Sequence, residues 1–230
     1  MDKIYLTLIS LSALALNSYA EKSLYIPREW QNRTDTLIYK ENDPDNQYTW
    51  SKSRSKESEN FIVYWDNKYG NTMPTNASST YRVDIDDLLN KAEGFYEMNV
   101  GKLAFCDENH SNVSKYKMMI LLNYTTEWIC YGGGYDDTIG ALWLSPSTSK
   151  PVGHSVAHEV GHSFQYQVYA DLKGYTGFRT AIGSGSTFWE QTAQWQANQS
   201  YPDLKWDQSW NLFKKTHNYA MTHEWHRYQS

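Results

Sequence analysis

The sequence predicts an α+β fold, on the strength of how its apolar residues are spaced. Three short β-branched or aromatic runs, Phe61–Trp65, Met118–Leu122 and Ile139–Leu144, come first, with one amphipathic helix among them. Beyond residue 152 the signal is helical throughout. At 230 residues, 40% of them hydrophobic, the chain is long enough to bury the core of one domain.

Residues 1–20 read as a secretory signal peptide: Lys3 lies in a short n-region, 4–16 is an apolar run, and Ser18-Tyr19-Ala20 fits a small-x-small cleavage site. The apolar run is too short for a membrane span and nothing comparable follows it. The expected product is secreted, extracellular or periplasmic, with no stable membrane insertion. Residues 21–60 are polar and turn-rich and read as a leader wrapping the domain, the alternative being an inhibitory segment over the cleft. The domain itself is expected at 61–230.

Phe61–Trp65 is expected to be a buried strand, and 70–80, rich in Gly, Asn, Ser and Thr, a loop. From Asp84 the period changes: Ile85, Leu88, Leu89, Ala92 and Phe95 recur at helical spacing, with Asp84, Asp86 and Asp87 at the N-terminal end and Gly101 after it. Met118–Leu122 is a second strand. Tyr131-Gly132-Gly133-Gly134 reads as turn, and Ile139–Leu144 is a third strand, ended by Pro146. Helices follow at 152 to about 170, 187 to about 200, and 209 to the end. The last nine residues carry no capping signal, as expected of a domain truncated at its C-terminus.

Composition narrows the function. A net charge of −5 and a pI near 5.8 leave no basic stripe to neutralise phosphates, which excludes nucleic acid as the expected partner. Aromatic residues make up 16% of the chain while mean hydropathy stays at −0.72, so rings are expected at half-buried surfaces, or stacked on carbohydrate or peptide. In an exported chain Cys106 and Cys130 are expected to form a disulfide, which would contribute about 3 kcal/mol by loop closure. Sequons start at Asn32, Asn76, Asn109, Asn112, Asn123 and Asn198.

The chemistry is concentrated in His158-Glu159-Val160-Gly161-His162. The i, i+4 spacing puts both imidazoles on one helix face, one turn apart, where they can share a cation. Zinc suits neutral imidazole, and a metal-bound water ionises near neutrality, with Glu159 as general base and later acid. Val156, Ala157, Val160, Phe164 and Val168 form the core-facing side of this helix. A third ligand is needed, and the candidate is Glu190 within Phe188-Trp189-Glu190-Gln191-Thr192-Ala193; a solvated first-turn carboxylate is the alternative. His154, one turn before His158, is read as structural, or else as support for a ligand. His226 and Tyr228 are the choice for stabilising an oxyanion, His223 and Tyr219 lie near them, and a structural aromatic role is open for each.

These two motifs, His-Glu-x-x-His on one helix and a Glu opening an E-x-x-A segment on the next, resemble the gluzincin branch of zinc metallopeptidases. With Gln165 (H-E-x-x-H-x-x-Q) and Trp189, the chain is similar to plant basic secretory proteins and to a group of secreted bacterial zincin-like proteins. The resemblance implies His158, His162 and Glu190 as ligands of one zinc per chain, Glu159 as catalytic base, and a zincin-like fold: a small mixed sheet whose edge strand holds extended substrate ahead of the helix carrying HExxH. Gly140-Ala141-Leu142-Trp143 is the expected edge strand. In thermolysin-like members an Asp stands four positions after the third ligand; here it is Gln194, which puts an amide, or Gln165, in the supporting role.

The expected function is that of a secreted zinc metallopeptidase, a monomer acting on polypeptide or glycoprotein. The alternatives are a weakly active or inactive zincin-fold protein that binds glycan or a surface, and a metal-dependent amidase or deacetylase.

Overall fold

The computed structural model describes residues 21–31, 50–172 and 186–202. The expected signal peptide and final helix, with His223, His226, Tyr219 and Tyr228, lie outside them. The elements in order are α1 (Arg28–Gln31), β1 (Ser55–Glu57), β2 (Phe61–Trp65), α2 (Ile85–Glu97), β3 (Met118–Leu122), β4 (Cys130–Tyr135), β5 (Ile139–Leu144), α3 (His154–Asp171) and α4 (Ser186–Ser200). They form a mixed five-stranded sheet of order β1-β2-β3-β5-β4, with β2, β3 and β5 parallel and the two outer strands antiparallel to their neighbours.

Every residue of β2 and β3 is buried because both faces of the sheet are covered. Neighbouring side chains along a strand point to opposite faces. Phe61 accordingly meets Tyr96 of α2, while Tyr64 meets Trp30 of α1, which also packs on Tyr135. A fully buried ring or aliphatic chain of this kind contributes roughly 1.5–3 kcal/mol. The expected apolar face of α2 is the buried one, and the Asp84 carboxylate caps it by accepting from the backbone N–H groups of Asp86 and Asp87. Past Glu97 the helix widens into a π turn over Met98–Lys102, closed by Leu103 N–H donating to Met98 O at 2.9 Å.

The polar run ahead of Asn60 contributes β1, whose Glu57 is paired with Lys52 and Lys117. One local reading of the sequence is corrected: Tyr131-Gly132-Gly133-Gly134 is strand β4 and not a turn. The turn lies at Asp136 and Asp137, both with positive φ (55° and 50°), as a type I′ hairpin requires. Consequently Gly140-Ala141-Leu142-Trp143, the expected edge strand, lies inside the sheet between β3 and β4, and the edge nearest α3 belongs to β4.

The expected Cys106–Cys130 disulfide is also corrected: both thiols are free. Cys130 Sγ sits 3.7 Å from the carbonyl of Ser155 in the first turn of α3, while Cys106 feels the charge of Asp171 at the other end of the same 18-residue helix. At 1.5 Å per residue the two ends lie about 25 Å apart, far beyond disulfide reach. Burial pushes the Cys106 thiol up to about 12 and raises Cys130 as well, so neither is an activated nucleophile. No helix among the described residues is long and apolar enough to cross a membrane.

Candidate metal centre

α3 lies against β4 and β5 with its Val156, Ala157, Val160 and Phe164 side chains buried. Two glycines of β4 set how close it comes. A Cβ on Gly132 would stand 2.0 Å from the Glu159 carbonyl oxygen and 2.7 Å from His162 Cβ, and one on Gly134 would enter the Tyr166 ring at 2.1 Å. Only a strand without side chains at these positions admits the helix. The close approach brings the Gly132 N–H to the Glu159 carboxylate, where it donates to Oε2 at 2.7 Å.

On its other side α3 runs antiparallel to α4, since His154 pairs with Asn198, His158 with Gln194, and Gln165 with the Trp189 carbonyl. This packing brings Glu190 to both histidines of the motif. Glu190 Oε2 lies 3.1 Å from His158 Nε2 and 3.6 Å from His162 Nε2. One ligand atom from each of the three residues falls within 4.8 Å of the others. His158 and Glu159 are buried and His162 and Glu190 half-buried, so the cluster is set into the domain and still reachable.

The orientation of each imidazole is fixed from behind. Gln194 Oε1 stands 3.1 Å from His158 Nδ1, and Gln165 Oε1 stands 2.8 Å from His162 Nδ1. An amide oxygen only accepts, so each Nδ1 carries the hydrogen and each Nε2 lone pair faces Glu190. Two lone pairs and a carboxylate converging on one point need a positive charge between them, a proton or a metal ion. Two imidazoles and one carboxylate form a donor set that suits zinc.

The electrostatics describe the proton-occupied case. Burial disfavours charge on His162, but its hydrogen bond with Glu190 and the charges of Glu159 and Glu190 outweigh it, raising its pKa. Burial likewise opposes ionisation of Glu190, yet hydrogen bonds with the two histidines hold it well below the ordinary carboxylate range. Glu159 is raised: burial exceeds the opposing effect of the histidines and of the Gly132 N–H.

The structure thus brings His158, Glu159, His162 and Glu190 together with Gln165 and Gln194. His154 joins the row through Gln194 Nε2, 3.1 Å from its Nε2. His226 and Tyr228 lie outside the described residues. Sequence reasoning missed Gly132, whose amide fixes Glu159. The available signal was the two-residue alternation of Tyr131, Gly133 and Tyr135, which marks a strand with glycines on its inner face.

Fold and site together define an α+β domain with a recessed His–His–Glu cluster between two antiparallel helices. The chain belongs to DUF6055, a family of unknown function whose model matches residues 16–230. A search of curated proteins finds no match. A solved structure, that of a functionally unknown conserved protein mutant from Bacillus anthracis str. Ames, is similar at 12% identity over 67% of this chain, with a TM-score of 0.32. The match covers 41% of that protein, so this chain spans about two-fifths of it.

Proposed function

We propose that the protein is a zinc-dependent hydrolase of the peptidase type, zincin-like in its site, exported and acting on polypeptide. The observation that carries this reading is the convergence of His158 Nε2, His162 Nε2 and a Glu190 oxygen beside the buried Glu159 carboxylate. Zinc held by those three residues supplies Lewis acidity, polarising a carbonyl and lowering the pKa of water. Glu159 takes the proton from the attacking water and returns it to the leaving nitrogen as the C–N bond breaks. The Gly132 N–H holds Oε2, which leaves the second carboxylate oxygen for the transfer. β4 is an outer strand of the sheet among the described residues, which supports the capture of extended substrate by strand addition on its side away from β5, beside the Gly132 N–H that Glu159 already takes.

The test is hydrolysis of an unfolded, fluorescently labelled polypeptide by the zinc-loaded chain and its Glu159→Gln variant, with zinc content measured in both. The reading predicts cleavage by the wild type and a loss of about 100-fold or more in the variant with zinc retained. Zinc retention with no cleavage by the wild type would favour a metal-stabilised binding protein.

A further inference from the structure

The two amides behind the histidines set a property of the site. Gln165 and Gln194 are 3% and 5% exposed. The Gln165 nitrogen donates to the Trp189 carbonyl at 3.0 Å and to Thr192 Oγ1 at 2.6 Å, which leaves only its oxygen for His162. The Gln194 nitrogen lies 3.1 Å from His154 Nε2, which also stands 2.9 Å from Asn198 Oδ1 and can satisfy only one of the two; a His158 Nε2 lone pair kept for a metal puts the hydrogen on Nδ1, which requires the Gln194 oxygen. Burying such groups is costly unless their hydrogen bonds are made, and for Gln165 they are made in one sense only. A carboxylate in either place would fix the same tautomer and also push negative charge onto the imidazole, making it a stronger ligand. Among the described residues, the recorded partner of each Nδ1 is an amide.

We propose that Gln165 and Gln194 are positioning residues that aim both Nε2 lone pairs at the metal without adding charge, and thereby hold zinc affinity below that of a carboxylate-backed site. The inference rests on the zinc reading above and adds the sign of each substitution. Removing an amide frees the imidazole and weakens binding, whereas replacing Gln194 by an isosteric carboxylate strengthens it. A purely structural glutamine would show the loss without the gain.

The experiment is competition for zinc between a chromophoric chelator and the full chain at pH 7.5, for wild type, Gln165→Leu, Gln194→Leu, Gln194→Glu and Glu190→Ala, with the melting temperature of each metal-free form. The leucine variants are expected to bind zinc about 10- to 100-fold more weakly, and Gln194→Glu about tenfold more tightly than wild type. Leucine variants that hold zinc like wild type, or a folded Gln194→Glu that gains nothing, overturn the inference. Should the leucine variants fail to fold, Gln194→Glu decides alone. If wild type binds no zinc, or Glu190→Ala binds it equally well, the metal reading falls and the inference with it. If Glu190→Ala loses zinc while the glutamine variants stay unchanged, the inference alone falls.

Discussion

Glu190 and His162 each carry a charge that burial opposes and the other stabilises, so the site's pH behaviour without metal is fixed in sign. A depressed carboxylate such as Glu190 contributes stability that is present above its ordinary value of 4.5 and lost as pH falls through its folded value. A raised imidazole such as His162 contributes stability that is complete below its ordinary 6.5 and lost as pH rises through its folded value. Glu159, raised by burial, adds a loss in the same direction as the pH climbs above 4.5. In chelator, calorimetry should therefore give a higher melting temperature in mildly acidic buffer than at pH 8. Saturating zinc should raise it more at pH 8 than in the acidic buffer, because protons compete less for the imidazoles there. A chelator-treated chain equally stable at both values would contradict the assignment of the charge between these groups.

At the scale of elements, the close contact of α3 with β4 makes Gly132 the most sensitive backbone position near the site. Gly132→Ala puts a Cβ against the Glu159 carbonyl and His162 Cβ, so helix and strand must separate. A destabilisation of about 1–3 kcal/mol by urea unfolding is expected, together with weaker zinc binding. Unchanged stability would mean that α3 sits farther from the sheet than described. The helices were legible in advance because Ile85, Leu88, Leu89, Ala92 and Phe95 repeat with one period, and because His158 and His162 lie one turn apart. β4 was only faintly legible, in the alternate placing of Tyr131 and Tyr135. Three successive glycines carry no β propensity, and their reason for being in a strand is the helix packed on them, a tertiary fact. The same holds for β5, whose apolar run was read correctly as a strand but whose place inside the sheet depends on β4. Gln194 was visible as a departure from the resembling family. That it and Gln165 both face imidazole nitrogens required the antiparallel packing of α3 on α4.

At the scale of the whole molecule, the buried rings among the described residues pack on one another as Trp30 does on Tyr64 and Tyr135, and Tyr96 on Phe61 and Phe164, while Trp128, Tyr131 and Trp195 are exposed. The domain is therefore held by apolar packing and not by a cross-link. Spacing and export suggested a disulfide, but α3 stands between the two cysteines and spacing cannot report that. Both cysteines should react with a thiol reagent in denaturant without prior reduction, and reductant should leave the melting temperature unchanged; an absence of free thiols would contradict this arrangement. The central claim is that the α3–α4 interface is built around a zinc ion, and metal content tests it most directly. Wild type and Glu190→Ala, dialysed against mild chelator, are compared by elemental mass spectrometry. The account predicts about one zinc per chain in the wild type and little or none in the variant. No zinc in either, or equal zinc in both, would contradict it.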